Sequence, residues 1–468
     1  MKKINFLISI SLLFFNLSKA EIILPAMFNN DMVLQQQSTV KIWGKAEPNK
    51  NVTMVTSWNF KKYKVLADNE GKWTISFTTG KAGGPYSIIL SDGKAVTLNN
   101  ILLGEVWLCS GQSNMEMSMK GYQGQPIENG NIDILKSTNP KLRLFTVKRK
   151  AELEVQTDVV GRWEEAMPVS VRDFSATAYY FGKLLQETLN VPVGLIVSSW
   201  GGSRIEAWMN EEMLKDFTSA VIPTSKENIK NPHQTPTMLF NGMINPLIGY
   251  GIKGTIWYQG ESNRNNHQEY AAMFKNMTNG WRKLWGQENE SFPFYFCQIA
   301  PYGYKDVYNS ALLREAQSQA AKEPNTGMAV LMDTGEENCI HPSKKRTAGE
   351  RLALLAINKT YNITGVECES PEYKNIEISG STVTINFDNA QNGLYFKGGD
   401  SQNFMLAGED KVFYPAKAKI VKNKIEVVSE SVTYPVAVRY AFKNYVVGDL
   451  YGMGDLPVSS FRSDDWSE

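Results

Sequence analysis

The stretch Gly104-Glu105-Val106-Trp107-Leu108-Cys109-Ser110-Gly111-Gln112-Ser113-Asn114-Met115 decides how the rest of this chain is read. Its first half is apolar enough for a buried strand, and its second half is a turn of small residues that presents one serine. A serine hydroxyl is a weak nucleophile until a base and an oxyanion site are built around it. A strand end in a parallel sheet is a rigid place to build both. Read alone, the segment also fits a turn whose serine caps the next helix. Two later segments separate these readings. Ile256-Trp257-Tyr258-Gln259-Gly260-Glu261-Ser262-Asn263 is another strand running into a polar turn. Leu331-Met332-Asp333-Thr334-Gly335-Glu336-Glu337-Asn338-Cys339-Ile340-His341-Pro342 carries a histidine just past a strand and before a helical pattern. The chain has 3 histidines, so few side chains can act as general base near neutral pH. His341 is the best placed; His233 and His267 read as structural.

Outward from these segments, apolar strand candidates at 106–109, 193–197, 252–258, 294–299 and 329–332 interleave with helical patterns at 175–189, 269–285, 311–322 and 347–359. Near-continuous apolar strands alternating with helices predict an α/β domain with a parallel sheet covered on both faces, over 101–361. Ser113, Gly201-Gly202, Gln259 and His341 all follow the C-terminal ends of such strands, where open α/β sheets bind ligands. Residues 21–100 show short alternating runs broken by turn residues, such as Trp73-Thr74-Ile75-Ser76-Phe77 before Gly83-Gly84-Pro85, and predict a small β-sandwich. The strand rhythm returns over 362–468 as a second β region that folds back on the catalytic domain. No internal repeat or low-complexity linker separates the three parts.

Four segments in order, Gly111-Gln112-Ser113-Asn114-Met115, Ser199-Trp200-Gly201-Gly202, Trp257-Tyr258-Gln259-Gly260-Glu261-Ser262-Asn263 and Ile340-His341-Pro342, resemble the sialate O-acetylesterase family of the SGNH (GDSL-like) hydrolases. The likeness extends to Gly454-Asp455-Leu456-Pro457 and Ser460-Phe461-Arg462-Ser463-Asp464-Asp465-Trp466 at the end of the chain. It implies a flavodoxin-like three-layer catalytic domain and a serine esterase that removes O-acetyl groups from sialic acids or sialoglycans through an acyl-enzyme. In that scheme Ser113 is the nucleophile and His341 takes its proton. The oxyanion meets the backbone N–H of Ser113, and at Gly202 the absence of a side chain lets a second N–H come close. The family's third donor comes from the block matched by the Gln-Gly-Glu-Ser turn and maps to Gln259, with Asn263 as the alternative; Glu261 reads as a brace for that turn. Many SGNH enzymes carry an aspartate two or three residues before the histidine, and this chain departs from them with Cys339 and Asn338. Asp333, Glu336 or Glu337 could then orient the imidazole, or a backbone carbonyl could, leaving a Ser-His dyad. Arg204 is a candidate for a sialic acid carboxylate, since a guanidinium fork fits that group, or else makes a surface ion pair. Trp200, Trp208, Trp257 and Tyr258 divide between sugar-stacking and core roles.

The bulk numbers leave the partner open. Of 468 residues, 49 are Lys or Arg and 48 Asp or Glu, so charge gives no reason to expect nucleic acid or an anionic membrane. Lys2 and Lys3 before an apolar run at 4–17, then Ser18-Lys19-Ala20, read as a signal peptide over 1–20 and predict export to a periplasm or the exterior, without a membrane anchor. Cys109 and Cys297 fall in apolar strand patterns and read as buried thiols, while Cys339 and Cys368 are candidates for a bridge. No metal spacing, phosphate loop, dinucleotide fingerprint or Gly-X-Ser-X-Gly elbow is present, so no metal and no cofactor is expected. The expected partner is an O-acetylated sugar or glycan. An esterase for acetylated plant polysaccharide such as xylan is the alternative, and a non-catalytic carbohydrate-binding protein the third reading. The four ordered segments speak against the last, which has no use for them together.

Overall fold

The computed structural model describes residues 22–287, 292–307 and 309–466. The expected signal peptide lies outside them. The run Gly104–Gly111 ends a single strand of 17 residues, β1 (Ala95–Gly111). Residues 95–100 are mixed in exposure, whereas every residue from Ile101 to Gly111 is buried. That change marks the passage from a sheet with a solvated face to one covered on both sides.

Six further strands complete the central sheet: β2 (Asn139–Thr146), β3 (Trp163–Ala166), β4 (Val193–Ser199), β5 (Gly254–Tyr258), β6 (Phe294–Cys297) and β7 (Thr326–Ala329). Their order is β3-β2-β4-β1-β5-β6-β7. All neighbours run parallel except β3, which pairs antiparallel with β2. β2 and β3 went unread in the sequence, where charged residues and Pro140 interrupt the apolar pattern. The strand expected at 329–332 instead spans Thr326–Ala329; 330–332 already belong to the loop that leads to His341.

Successive residues of these strands feed two different cores. Val106, Leu108, Ile196, Trp257, Phe294 and Phe296 join one cluster. Trp107, Cys109, Leu195, Ile256, Tyr258 and Cys297 join the other. Two helices cover the first face, α3 (His267–Leu284) and α4 (Ser310–Ala320), through Tyr270, Phe274, Trp281 and Leu313. The second face is covered by α2 (Ala176–Leu189) and α5 (Lys345–Leu355), through Tyr180, Phe181, Leu352 and Leu355. A short helix, α1 (Ser113–Glu116), follows β1 directly. Strand excursions leave β1 first toward β2 and β4, then toward β5, β6 and β7 on its other side. β1 is therefore the switch point of the sheet, and its C-terminal end opens into the crevice such folds use for ligands.

The N-terminal strands share β1. Gly83–Ser91 pairs antiparallel with its first half and Val33–Gln35 runs parallel to Leu102–Gly104. Thr39–Lys45 and Lys72–Thr78 form a separate two-stranded sheet, and Val40, Ile42, Ile75 and Phe77 enter the same cluster as Val52, Met54, Ile88 and Leu90. The boundary expected at 100/101 thus falls inside a hydrogen-bonded strand. At the other end of the chain, two four-stranded sheets enclose a third cluster that takes in Val330 and Met332. Arg462 makes paired bonds of 2.9 Å with Glu315 on α4, fastening the last segment to the catalytic layers. Cys339 and Cys368 are free thiols, so the candidate bridge is not formed; Cys339 Sγ instead lies 3.2 Å from the carbonyl of His341.

Candidate active site

Three strand ends and one longer loop converge on one cleft of about 500 Å³, lined by Gln112, Ser113 and Glu116 after β1, Gly201 and Gly202 after β4, Glu261 and Ser262 after β5, and Ile340 and His341 on the loop that follows β7. Tyr122, Arg149, Arg264 and Tyr304 complete its wall. Ser113 is set by the sheet. Gly111 lies at φ +136°, and a Cβ there would stand 2.2 Å from the carbonyl oxygen of Tyr258, so the chain turns off β1 against β5 only as glycine. Glu116 Nα and Met115 Nα then bond to the carbonyl of Gln112, closing α1 behind the serine. The side-chain oxygen of Gln112 accepts from Gly260 and Ser262 N–H and joins the first turn to the third.

The N–H of Gly201 is spent on Glu116 Oε2 at 2.9 Å. Gly202, at φ +74°, has no protein acceptor for its N–H among the described residues, and neither has Ser113. Gln259 lies elsewhere. It is fully buried beneath the cleft, where Nε2 donates to Ser203 O at 3.1 Å and Asn263 Oδ1 at 2.6 Å, and Tyr270 donates to its Oε1. Asn263 is buried with it and donates to Glu206. Both side chains brace the wall from behind.

None of the three acids considered for His341 bonds to its imidazole among the described residues. Both oxygens of Asp333 accept from Arg351 at 2.7 Å, Oε1 of Glu336 accepts from the backbone and hydroxyl of Ser343, and Glu337 is exposed. Nδ1 of His341 lies 2.6 Å from Oε1 of Gln125. Burial, and then the nearby Lys345 ammonium, push the imidazole down to about 4.

Lys345 is buried to 1 % exposure at the start of α5 and donates to Asn114 Oδ1 at 2.8 Å and Pro342 O at 2.6 Å. Asn114 passes its own N–H groups to Glu261 Oε1 and to Ile340 O. Glu261 is buried, its second oxygen without a partner among the described residues, and burial raises its carboxyl above the usual range. The residue after the serine thus sits between a buried carboxylate and a buried ammonium, and it holds Ile340 while Lys345 holds Pro342, on either side of His341. Burial lowers the Lys345 ammonium to about 8. Gln125, Asn114 and Lys345 escaped the sequence reading because each is a single polar residue with no spacing rule linking it to a partner over 200 positions away. Glu261 fits the brace its turn predicts.

Among the guanidinium groups, Arg204 is not part of the cleft wall and reaches Asn265 at 3.4 Å. Arg264 stacks on Tyr304 at 3.3 Å and is gripped bidentately by Asp306. Arg149 is held by Glu116 through Nε alone, at 2.5 Å, and lies over Trp200 at 5.5 Å. Its side chain is 52 % exposed, and Nη1 and Nη2 have no protein acceptor among the described residues. Trp208, Trp257 and Tyr258 are buried core residues; Trp200, stacked with His233, is at the surface side. No cluster able to hold a metal ion occurs among the described residues.

The family model "Carbohydrate esterase, sialic acid-specific acetylesterase" matches residues 103–358, more than half of the chain and the whole parallel sheet from β1 to α5. The chain belongs to this family. It is a carboxylic ester hydrolase of the carbohydrate esterase kind. It is similar to the human sialate O-acetylesterase, with 31 % identity over 75 % of this chain and 73 % of that one, and to the mouse enzyme, with 29 % identity over 76 % and 77 %. Among solved structures it is similar to a carbohydrate acetylesterase from Xanthomonas citri, with a TM-score of 0.88 at 35 % identity over 95 % of this chain and 100 % of that one. That likeness covers the flanking β regions as well as the parallel sheet. Among the described residues no helix is long and apolar enough to cross a membrane.

Proposed function

We propose that the protein removes O-acetyl groups from sialic acids or sialoglycans by an acyl-enzyme route. The observation that carries the proposal is the meeting of Ser113 and Gly202, from two strand ends, with His341, from the loop that follows β7, in one cleft. In this reading Ser113 Oγ attacks the acetyl carbonyl while His341 Nε2 takes its proton. The tetrahedral oxyanion is met by the free N–H groups of Ser113 and Gly202. As the C–O bond breaks, His341 returns the proton to the departing sugar oxygen, and water repeats the sequence to release acetate. Gln259 serves as the brace that keeps the Gly202-Ser203 turn in place.

Arg149 supports an acidic sugar as substrate. A guanidinium aimed by Glu116, with both terminal nitrogens unspent, fits a carboxylate bidentately. Export over a cleaved leader at 1–20 belongs to the same proposal, resting on Lys2, Lys3 and the apolar run that follows. Turnover of O-acetylated sialic acid and acetylated xylan, measured side by side, tests the substrate. Arg149→Ala is expected to raise KM for the sialate about 10-fold or more, as for a lost charged hydrogen bond, and to leave 4-nitrophenyl acetate untouched. Equal use of xylan with no effect of Arg149→Ala would replace the acidic sugar with a neutral polysaccharide.

A further inference from the structure

We infer that Gln125 is the positioning residue that orients His341, an amide carbonyl standing where a triad has a carboxylate. The inference rests on the reading of His341 as the base for Ser113. An amide oxygen only accepts, so at 2.6 Å the hydrogen is on Nδ1 of the imidazole. Nε2 then keeps its lone pair, which is the tautomer a base for serine needs. With Gln125 turned to donate instead, Nε2 would carry the hydrogen and could take no proton.

The contact is built from a hairpin. Tyr122 and Gln125 exchange two backbone hydrogen bonds of 3.0 Å, and Gly124 at φ +71° closes the turn between them. The Tyr122 hydroxyl donates to Ser113 O at 3.3 Å, and its ring meets the imidazole edge-on at 5.2 Å. Downstream, Glu128 N–H donates to Ser343 O at 3.0 Å, two residues past the histidine. One hairpin therefore grips the serine turn and the histidine loop together. Among the described residues no side-chain carboxylate bonds to Nδ1, since Asp333 and Glu336 are bonded to Arg351 and Ser343 and Glu337 is exposed.

A neutral partner acts differently from a charged one. A carboxylate on Nδ1 favours the imidazolium; an amide leaves it to its other surroundings. Those are Tyr122 on the hairpin, Glu336 and Cys339 on its own loop, Lys345 on α5, and Glu116, Arg149, Glu261, Arg264 and Tyr304 around the cleft. Burial and Lys345 prevail, holding the imidazole at about 4. The base thus stays unprotonated in mild acid, and activity is expected to fall only as pH drops through about 4.

Hydrolysis of 4-nitrophenyl acetate against pH, with the His341 imidazole followed by NMR, tests the assignment. Gln125→Ala is expected to lower kcat roughly 10–10³-fold with KM little changed, as for lost outer partners of catalytic imidazoles. Gln125→Glu is expected to restore most of kcat at pH 8 and to move the acid limb and the imidazole titration up together by about 1–3 units. Wild-type kcat in Gln125→Ala, or an unmoved limb and titration in Gln125→Glu, overturns the inference. Should Gln125→Ala fail to fold, the Gln125→Glu titration decides. A wild-type protein that does not turn the ester over would refute the esterase reading, while the NMR shift would still report on Gln125.

Discussion

Ser113 and His341 line a single cleft, yet the two are held in unlike ways. Ser113 is placed by topology. It follows the longest strand of the sheet, at the switch point, on a turn whose glycine packs against the backbone of β5. His341 is placed by side chains. Residues 330–344 contain no named strand or helix, and the loop is pinned by Gln125, Asn114, Lys345 and Glu336, two of them from the far end of the catalytic region. Backbone ladders fix a nucleophile whatever its neighbours are. A base fixed by polar side chains is only as well placed as each of those contacts, and substitutions will strike the two halves of the site differently.

The comparison breaks first if the two halves do not act as one. Ser113→Ala and His341→Ala are each expected to lower turnover of a simple acetyl ester by about 10⁴–10⁶-fold with unchanged melting, and the double variant to be little worse than either. Multiplicative losses in the double variant would put His341 outside the catalytic unit.

The same contrast explains what could be read from the sequence. Val106–Cys109, Ile256-Trp257-Tyr258 and the helices on both faces were legible because burial on two sides writes a continuous apolar run and helix packing a 3.6-residue period. Ser113 and Gly202 inherited that legibility from the strands they follow. β2 escaped because Lys141 and Arg143 break its apolar run, although Arg143 is itself buried against Asp31 and Glu165. The expected strand at 329–332 was an apolar run that the fold uses partly as loop, with Val330 and Met332 packed against the C-terminal β region. Gln259 was assigned from its place in a motif, whereas its side chain turns inward to Ser203, Asn263 and Tyr270. A contact between Gln125 and His341, 216 residues apart, leaves no periodic trace at all.

The second test removes one end of the buried bridge that ties the halves together. Lys345→Met leaves Glu261 enclosed with Arg264 as its remaining nearby cation and is expected to cost about 3–5 kcal/mol in denaturant unfolding. Pairing it with Glu261→Gln should recover part of that loss, because the double variant no longer buries a lone charge. Removing the ammonium also removes a cation that disfavours imidazolium, so the His341 pKa should rise. A double variant as unstable as the two single losses added together would mean that Lys345 and Glu261 stabilise the loop independently.

The smallest effects belong to the carboxylates that a triad would need. Asp333→Asn exchanges a charged partner of Arg351 for a neutral one, and Arg351 is only 8 % exposed, so a stability loss of about 1–3 kcal/mol is expected. Its turnover should stay within roughly 10-fold of wild type, since neither oxygen reaches the imidazole. Glu336→Gln can still accept from the N–H and hydroxyl of Ser343, so the turn before α5 survives and the change should be slighter. Glu337→Gln alters an exposed side chain and should change neither stability nor rate. Kinetics and unfolding of the three amide variants rank them in that order. A loss of about 10²–10⁴-fold in any one, with the fold retained, is the scale of a missing triad acid and would return the orientation of His341 to a carboxylate. Three mild effects, beside a marked one at Gln125, leave the base oriented by an amide from the serine side of the cleft.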